Sequence, residues 1–221
     1  MNSSSGNARQ AGHASAVAVT DPGLETVPAG GPGKASRYED LIRASIEVFS
    51  RTNYDKATTA LIAREAGIAE GTIYRYFSSK KELFLACFRY VTQLLAERYA
   101  VIYWETADEP GEYLRRVAKS YLEFLRENPS MRKFLAFILN SSFDKDFFSE
   151  LQGFVEMNIK ATESMVKKAI DKGDVRKDVD PRGAAWLFVG CYFTFILMTE
   201  LDAEEIGDPT FVDKMLDMVM R

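Results

Sequence analysis

Apolar and small residues recur along most of this chain at helical spacing. The first clear stripe is Leu41, Ala44, Ser45, Val48 and Phe49, the i, i+3, i+4, i+7, i+8 pattern of a helix with one inward face. Ser36 and Glu39 stand at capping-box spacing and place the start of that helix at Ser36, and Asn53-Tyr54-Asp55 breaks it. A shorter pattern follows, with Ile62, Ala63 and Ala66 on one face and Thr58 or Thr59 as N-cap. Gly67 ends it, since glycine alone turns left-handed without steric cost. After Gly67-Ile68-Ala69 a third helix begins, with Ile73 and Phe77 one turn apart and facing inward. Ser79 and Glu82 form another capping box and open a long fourth helix through Leu83, Phe84, Cys87, Phe88, Val91, Leu94 and Leu95 to about Tyr99.

The second half repeats helix-start signals. Asn128-Pro129, Asp180-Pro181 and Asp208-Pro209 each pair a capping residue with a proline suited to the first helical position. Pro110-Gly111 precedes a helix over Glu112 to Glu127, and Gly173 closes one running from about Phe147. No segment sustains period-2 alternation with β-branched residues, so the expected fold is all-α, with about nine helices. Residues 183–199 carry no charge over seventeen positions. That is at the bottom edge of the roughly 20 residues a membrane span needs, and its Gly, Cys, Tyr and Thr argue against insertion. A helix apolar all round must be buried on more than one side. The expectation is a core contact on one face and a dimer contact on another. Its partner would be a last helix carrying Phe211, Val212, Met215, Leu216, Met218 and Val219.

Three parts result. Residues 1–33, rich in Gly, Ser, Ala and Pro, cannot repay the entropy of ordering and read as a disordered tail. The tail has no apolar run behind basic residues, so it does not read as a signal peptide, and Arg9 alone does not make a basic arm. Residues 34–82 form a three-helix unit and residues 83–221 a larger helical domain.

Within the small unit, the two helices joined at Gly67 read as a helix-turn-helix. The outward face of the second helix holds Glu70, Gly71, Thr72, Arg75 and Tyr76, with Tyr74 at its boundary. Thr, Tyr and Arg donate to phosphates and base edges, Gly71 allows close backbone approach, and a glutamate accepts from a cytosine N4 amine. Lys80 lies in the first turn of the next helix, well placed for a phosphate. The run I-A-R-E-A-G-I-A-E-G-T-I-Y-R-Y-F-S-S-K-K-E-L resembles the DNA-binding signature of tetracycline-repressor (TetR) family transcription regulators. The resemblance covers about fifty residues. It rests most on Tyr74-x-Tyr76-Phe77 followed by Lys80-x-Glu82-Leu83 at this distance from Ala66-Gly67-Ile68.

The resemblance implies a homodimer that binds a pseudo-palindromic double-stranded DNA operator and is released by a small hydrophobic effector. It implies DNA contacts from Thr58, Thr59, Glu70, Gly71, Thr72, Tyr74, Arg75, Tyr76 and Lys80. It also implies an intersubunit four-helix bundle made of the two C-terminal helices. The chain departs from the family where Ser and Lys are frequent and Ala69 and Glu70 stand instead. Ala69 cannot cap through its side chain, and Glu70 repels phosphate.

Composition agrees with this. The net charge of −4 divides unevenly: residues 34–90 hold ten Lys/Arg against seven Asp/Glu, and residues 91–221 hold seventeen against twenty-three. The positive excess thus sits with the reading helix. Cys87 and Cys191 are far apart with no C-x-x-C spacing, so the plain reading is a reduced, cytosolic chain. The single histidine, His13, lies in the tail, which removes His-based triads and His/Cys zinc clusters, and no cofactor or metal is expected. Glu150, Glu156, Glu163, Asp144 and Asp146 read as a solvated face rather than acid–base machinery, so no enzyme is built on them. Tyr99, Trp104, Tyr121, Phe137, Phe154, Met157, Trp186 and Tyr192 are candidates to line an effector pocket, since such pockets favour aromatic and Met side chains. The alternative is an all-helical enzyme or lipid-binding protein whose helix-turn-helix is structural.

Overall fold

The computed structural model describes residues 32–52, 54–140, 145–218 and 220. The expected disordered tail with its His13 therefore lies outside the described residues up to residue 31, as do Asn53, Asp144 and Val219. Ten helical segments and no strand are found among the described residues, the one isolated bridge joining Val175 to Met220.

The first four helices are α1 (Pro32–Arg51), α2 (Thr59–Glu65), α3 (Glu70–Ile73) and α4 (Lys80–Glu105). Helix α1 starts four residues before the expected cap at Ser36, at a proline, which leaves no N–H unpaired at the first helical position. Glu39 accordingly does not serve a cap; it accepts from Arg43 in the next turn and from the Tyr90 hydroxyl of α4. Thr58 caps α2 as expected, its hydroxyl accepting from the Leu61 N–H at 3.2 Å. Gly67, at φ +65°, turns the chain, and the Ile68 N–H closes back on the Ala63 carbonyl.

At the start of α4, Ser79 accepts from the Glu82 N–H, but the Glu82 carboxylate returns to the N–H and hydroxyl of Ser78. The reciprocal half of the box has moved back by one residue. Helix α4 continues past Tyr99 to Glu105, because Ile102 keeps the inward stripe going and Thr106 caps its end.

Six more segments complete the fold: α5 (Pro110–Glu127), α6 (Pro129–Asn140), α7 (Lys145–Lys172), α8 (Pro181–Glu200), α9 (Glu204–Gly207) and α10 (Phe211–Leu216). Asp180 caps α8 through the Gly183 N–H at 2.6 Å, and Gly173, at φ +88°, ends α7. Asp208 does not open a helix. It accepts from the N–H and hydroxyl of Thr210 in a local turn, and α10 begins beyond it.

One contiguous core runs from Leu41 in α1 to Met220. Helix α4 carries the chain from the three-helix unit into the larger domain without interruption. Its second-turn Phe84 is the hub of the junction, with ring centroids 5.0 Å from Phe49, 5.1 Å from Tyr54 and Phe134, and 5.6 Å from Phe147. The N-terminal unit is also held by α1 lying along α6, where Ser130 donates to Glu47.

The expected partner of α8 is corrected. Its most extensive pairing is with α7, and Arg182 locks the two by bonding both Glu156 and Glu163 at 3.2 Å. Helix α10 touches α8 as well, through the Phe195 and Phe211 rings, 6.4 Å apart, and Cys191 beside Met215. It nevertheless turns Val212 and Leu216 inward and is held to α5 by ion pairs from Arg115 and Lys119 to Asp213 and Asp217. Helix α8 is long and apolar enough to cross a membrane by length and composition. One side is packed in the fold, whereas Trp186, Leu187, Leu197 and Leu201 on the other are 51–70% exposed.

The α5 start has no room to spare. The Gly111 N–H donates to Asp174, and a Cβ on Gly111 would lie 2.8 Å from Asp174 Cβ. Gly111→Ala is expected to destabilise the fold by about 1–3 kcal/mol through overpacking. A denaturant midpoint equal to that of the parent protein would contradict this.

Candidate DNA-reading head and effector cavity

The short helix α3 is extended by turns at Tyr74–Tyr76, with Tyr76 N–H to Ile73 O at 2.9 Å and Phe77 N–H to Ile73 O at 3.0 Å. Ile73 and Phe77 point into the core, as their spacing predicts, and anchor the segment. Ala69 leads it without a side-chain cap bond. Glu70, Gly71, Tyr74 and Arg75 are exposed, Thr72 and Tyr76 are half-buried, and Thr58 and Thr59 flank them at the start of α2. All the positions expected to meet DNA except Lys80 thus share one surface of the α2–α3 unit or border it.

Their internal bonds order that surface. Thr59 Oγ1 donates to Glu70 Oε1 at 2.5 Å and lies 3.2 Å from the Tyr74 hydroxyl. Glu70 therefore has one oxygen engaged and the other available as an acceptor. An added Cβ on Gly71 would meet nothing, so backbone can be approached there. Tyr76 packs edge-on against Tyr38 of α1, ring centroids 6.1 Å apart, which fixes its ring.

Lys80 has a different setting from the one expected. Its Nζ donates to the Tyr54 carbonyl at 2.8 Å and sits 4.4 Å from the centre of the Tyr54 ring. It ties the α1–α2 connection to the start of α4, and an ammonium keeps further donors for an anion.

In the larger domain α4, α5, α6, α7 and α8 enclose a cavity of about 510 Å³. Five of the eight expected lining residues are on its wall: Tyr99, Tyr121, Phe154, Met157 and Tyr192. The other three are not. Trp104 is 66% exposed in the last turn of α4, and Trp186 lies on the outer face of α8. Phe137 packs beside Phe84, with centroids 6.2 Å apart. The sequence spacing could not have found Arg89 or Glu150, which come together on the wall from positions 61 apart. Glu150 is thus a wall residue rather than part of a solvated face, whereas Glu156 and Glu163 are taken up in ion pairs with Lys160, Lys167 and Arg182.

The tyrosines cluster deep in the wall, the rings of Tyr121 and Tyr192 4.5 Å apart. Burial, reinforced by the neighbouring phenols, pushes the Tyr99 and Tyr121 hydroxyls well above the ordinary phenol range, and burial does the same to Tyr192. A phenol whose folded pKa is raised contributes stability below its unfolded value near 10, and that contribution is lost as pH rises beyond it. In an alkaline titration followed by tyrosinate absorbance, these three are expected to stay neutral at pH 10 and to ionise only as the fold fails. Full ionisation of all ten tyrosines near pH 10 in folded protein would refute this.

A helix-turn-helix head is thus joined to a helical domain that holds a largely apolar cavity, the arrangement of a DNA-binding regulator. The profile of bacterial regulatory proteins, tetR family, matches residues 41–87, the segment that carries this head. The nucleoid occlusion factor SlmA of Marinobacter nauticus is 26% identical over 152 residues, covering 69% of this chain and 75% of that one. The transcriptional regulator BetI of Pseudomonas aeruginosa is 34% identical over 106 residues, 46% of this chain and 52% of its own. The regulator FadR from Bacillus subtilis, solved in complex with stearoyl-CoA, shares the fold with a TM-score of 0.66 at 19% identity, covering 80% of this chain and 92% of that one. Residues 41–87 thus carry the DNA-binding domain of the tetR family, and the chain resembles that family's regulators of transcription.

Proposed function

We propose that this chain works in the cytoplasm as a homodimeric repressor, bound to a pseudo-palindromic operator and released by a small hydrophobic effector. The observation that carries this is a connection: one unbroken helix, α4, begins beside the polar face of α3 and ends along the cavity. In the complex, Thr72 and Arg75 contact base edges or phosphate. Thr58, Thr59, Tyr74, Tyr76 and Lys80 contact phosphate, Gly71 lets the backbone come close, and Glu70 accepts from a base.

The dimer forms through the apolar face of α8, with α7 completing a four-helix bundle across the two-fold axis. Two reading heads then enter successive major grooves, roughly 34–36 Å apart. An effector in the cavity favours a conformer whose heads no longer match that spacing, a coupling typically worth about 1–3 kcal/mol. The stearoyl-CoA bound by the Bacillus subtilis regulator of the same fold supports an effector with a long apolar part.

Selection of binding sites from a random duplex library tests the DNA half: a palindrome with half-sites about one turn apart is the expected product. Recovery of no motif, with binding that stays weak as salt is lowered, would defeat it. Linkage tests the rest, since an effector whose affinity is the same with and without operator cannot be the releasing ligand.

A further inference from the structure

Among the described residues, the cavity wall carries formal charge in one place, at Arg89 of α4 and Glu150 of α7. The two side chains form an ion pair between the helices, so their charges offset each other. One Glu150 oxygen takes that bond, and the other is buried with no hydrogen-bond partner. A buried acceptor left in this state costs free energy until a donor reaches it. Ten residues further along α4, about 15 Å by helical rise, the Tyr99 hydroxyl is also buried and faces the Tyr192 phenol. Between these two points the wall is mostly apolar, with Leu95, Phe154 and Ile196, and its other polar side chains, Thr92, Gln93 and Asn158, are uncharged.

We infer that the effector is an elongated, uncharged, mostly apolar molecule bearing a hydroxyl or N–H group that donates to Glu150, and that the Arg89–Glu150 pair selects it over anionic amphiphiles. This rests on the cavity being the effector site. A neutral donor satisfies the free carboxylate oxygen and leaves the ion pair intact. A carboxylate head in the same position sets a second negative charge against Glu150. Alternatively it draws Arg89 away and leaves Glu150 without its counter-ion. The pair is partly solvated, with side chains 45% and 30% exposed, so the discrimination is moderate rather than absolute. The same pair bridges α4 and α7, so a head group reaching Glu150 acts directly on the helix that leads to the reading head.

The test is calorimetric titration of the full chain with dodecan-1-ol and with dodecanoate, below their aggregation limits. The alcohol is expected to bind roughly tenfold or more tightly. Glu150→Gln is expected to erase or invert that order, because the amide frees Arg89 for an anion. Wild-type protein that takes dodecanoate equally well or better overturns the inference, as does an unchanged order in Glu150→Gln. The cavity reading survives either result if Ala161→Trp, on the cavity wall, abolishes binding. Gly153→Trp, where an added Cβ meets open space, serves if that variant does not fold. Wild type that binds neither probe, or binding untouched by both blocking variants, defeats the cavity reading and the inference with it.

Discussion

Phe84→Ala is expected to remove about 3–5 kcal/mol of folding stability, the range for deleting a large buried ring. The Phe84 side chain is 2% exposed and meets rings from α1, the α1–α2 connection, α6 and α7. These elements come from both ends of the sequence, so no single one can collapse into the space without pulling on the others. A loss of this size is a large fraction of a typical domain's stability. Chemical denaturation measures it against Trp104→Ala in the same helix. Trp104 is 66% exposed, and its removal is expected to change stability by no more than about 0.5 kcal/mol. Similar losses for the two variants would mean that α4 is not anchored where the ring contacts place it.

On a selected operator, Arg75→Ala is expected to weaken binding by about 1–3 kcal/mol and to relax preference at one position of each half-site. Arg75 is exposed on the turn that extends α3, with no bond to a neighbour that its loss would disturb beyond the surface. Tyr74→Ala is expected to weaken binding on all sequences alike, because the residue replaced is a hydroxyl donor and not a base reader. Its ring also borders the Thr59–Glu70 bond. Lys80→Ala separates two contributions. It breaks the tie to Tyr54, so part of its effect appears in thermal stability without DNA, and only the remainder in a reduced salt dependence of binding. Filter binding or fluorescence anisotropy across a salt series distinguishes these outcomes. Wild-type affinity and selectivity in both Arg75→Ala and Tyr74→Ala would remove this face from the DNA contact.

The parts of the fold that could be read from the sequence are those decided within a few residues. Thr58, Gly67, Gly173 and Asp180 each act on backbone groups at most five positions away, and each does in the structure what its residue type requires. Asp208 shows the limit. The same Asp-Pro pair that opens α8 here makes only a turn, Asp208 accepting from the N–H two residues on where Asp180 accepts from the N–H three residues on. Pairing of distant helices left no local trace. An apolar α8 fits α7 or the C-terminal segment equally well by composition. Its main pairing is seen only in the structure, where Ala185 and Val189 bury against Ile159 of α7, with Arg182 meeting Glu156 and Glu163 beside them.

The cavity was legible only in part for a related reason. Tyr99 and Trp104 belong to one helix and are equally suited to a pocket, yet they are five residues apart and so point to different sides. Which side holds the cavity depends on α5, α7 and α8, which the spacing within α4 does not encode.

Helix α4, 26 residues long, spans about 39 Å. With one end at the reading head and its cavity-side half beside the tyrosine cluster, in the proposed regulator it would act as a lever whose fulcrum is the ring cluster at Phe84. The arm on the cavity side is several times longer than the arm on the DNA side, since Phe84 is only four residues from the N-terminal end. Movement at the cavity would then be geared down in distance as it reaches the head and geared up in force. Such a linkage trades amplitude for leverage, which suits a device that must loosen many phosphate contacts by a small turn.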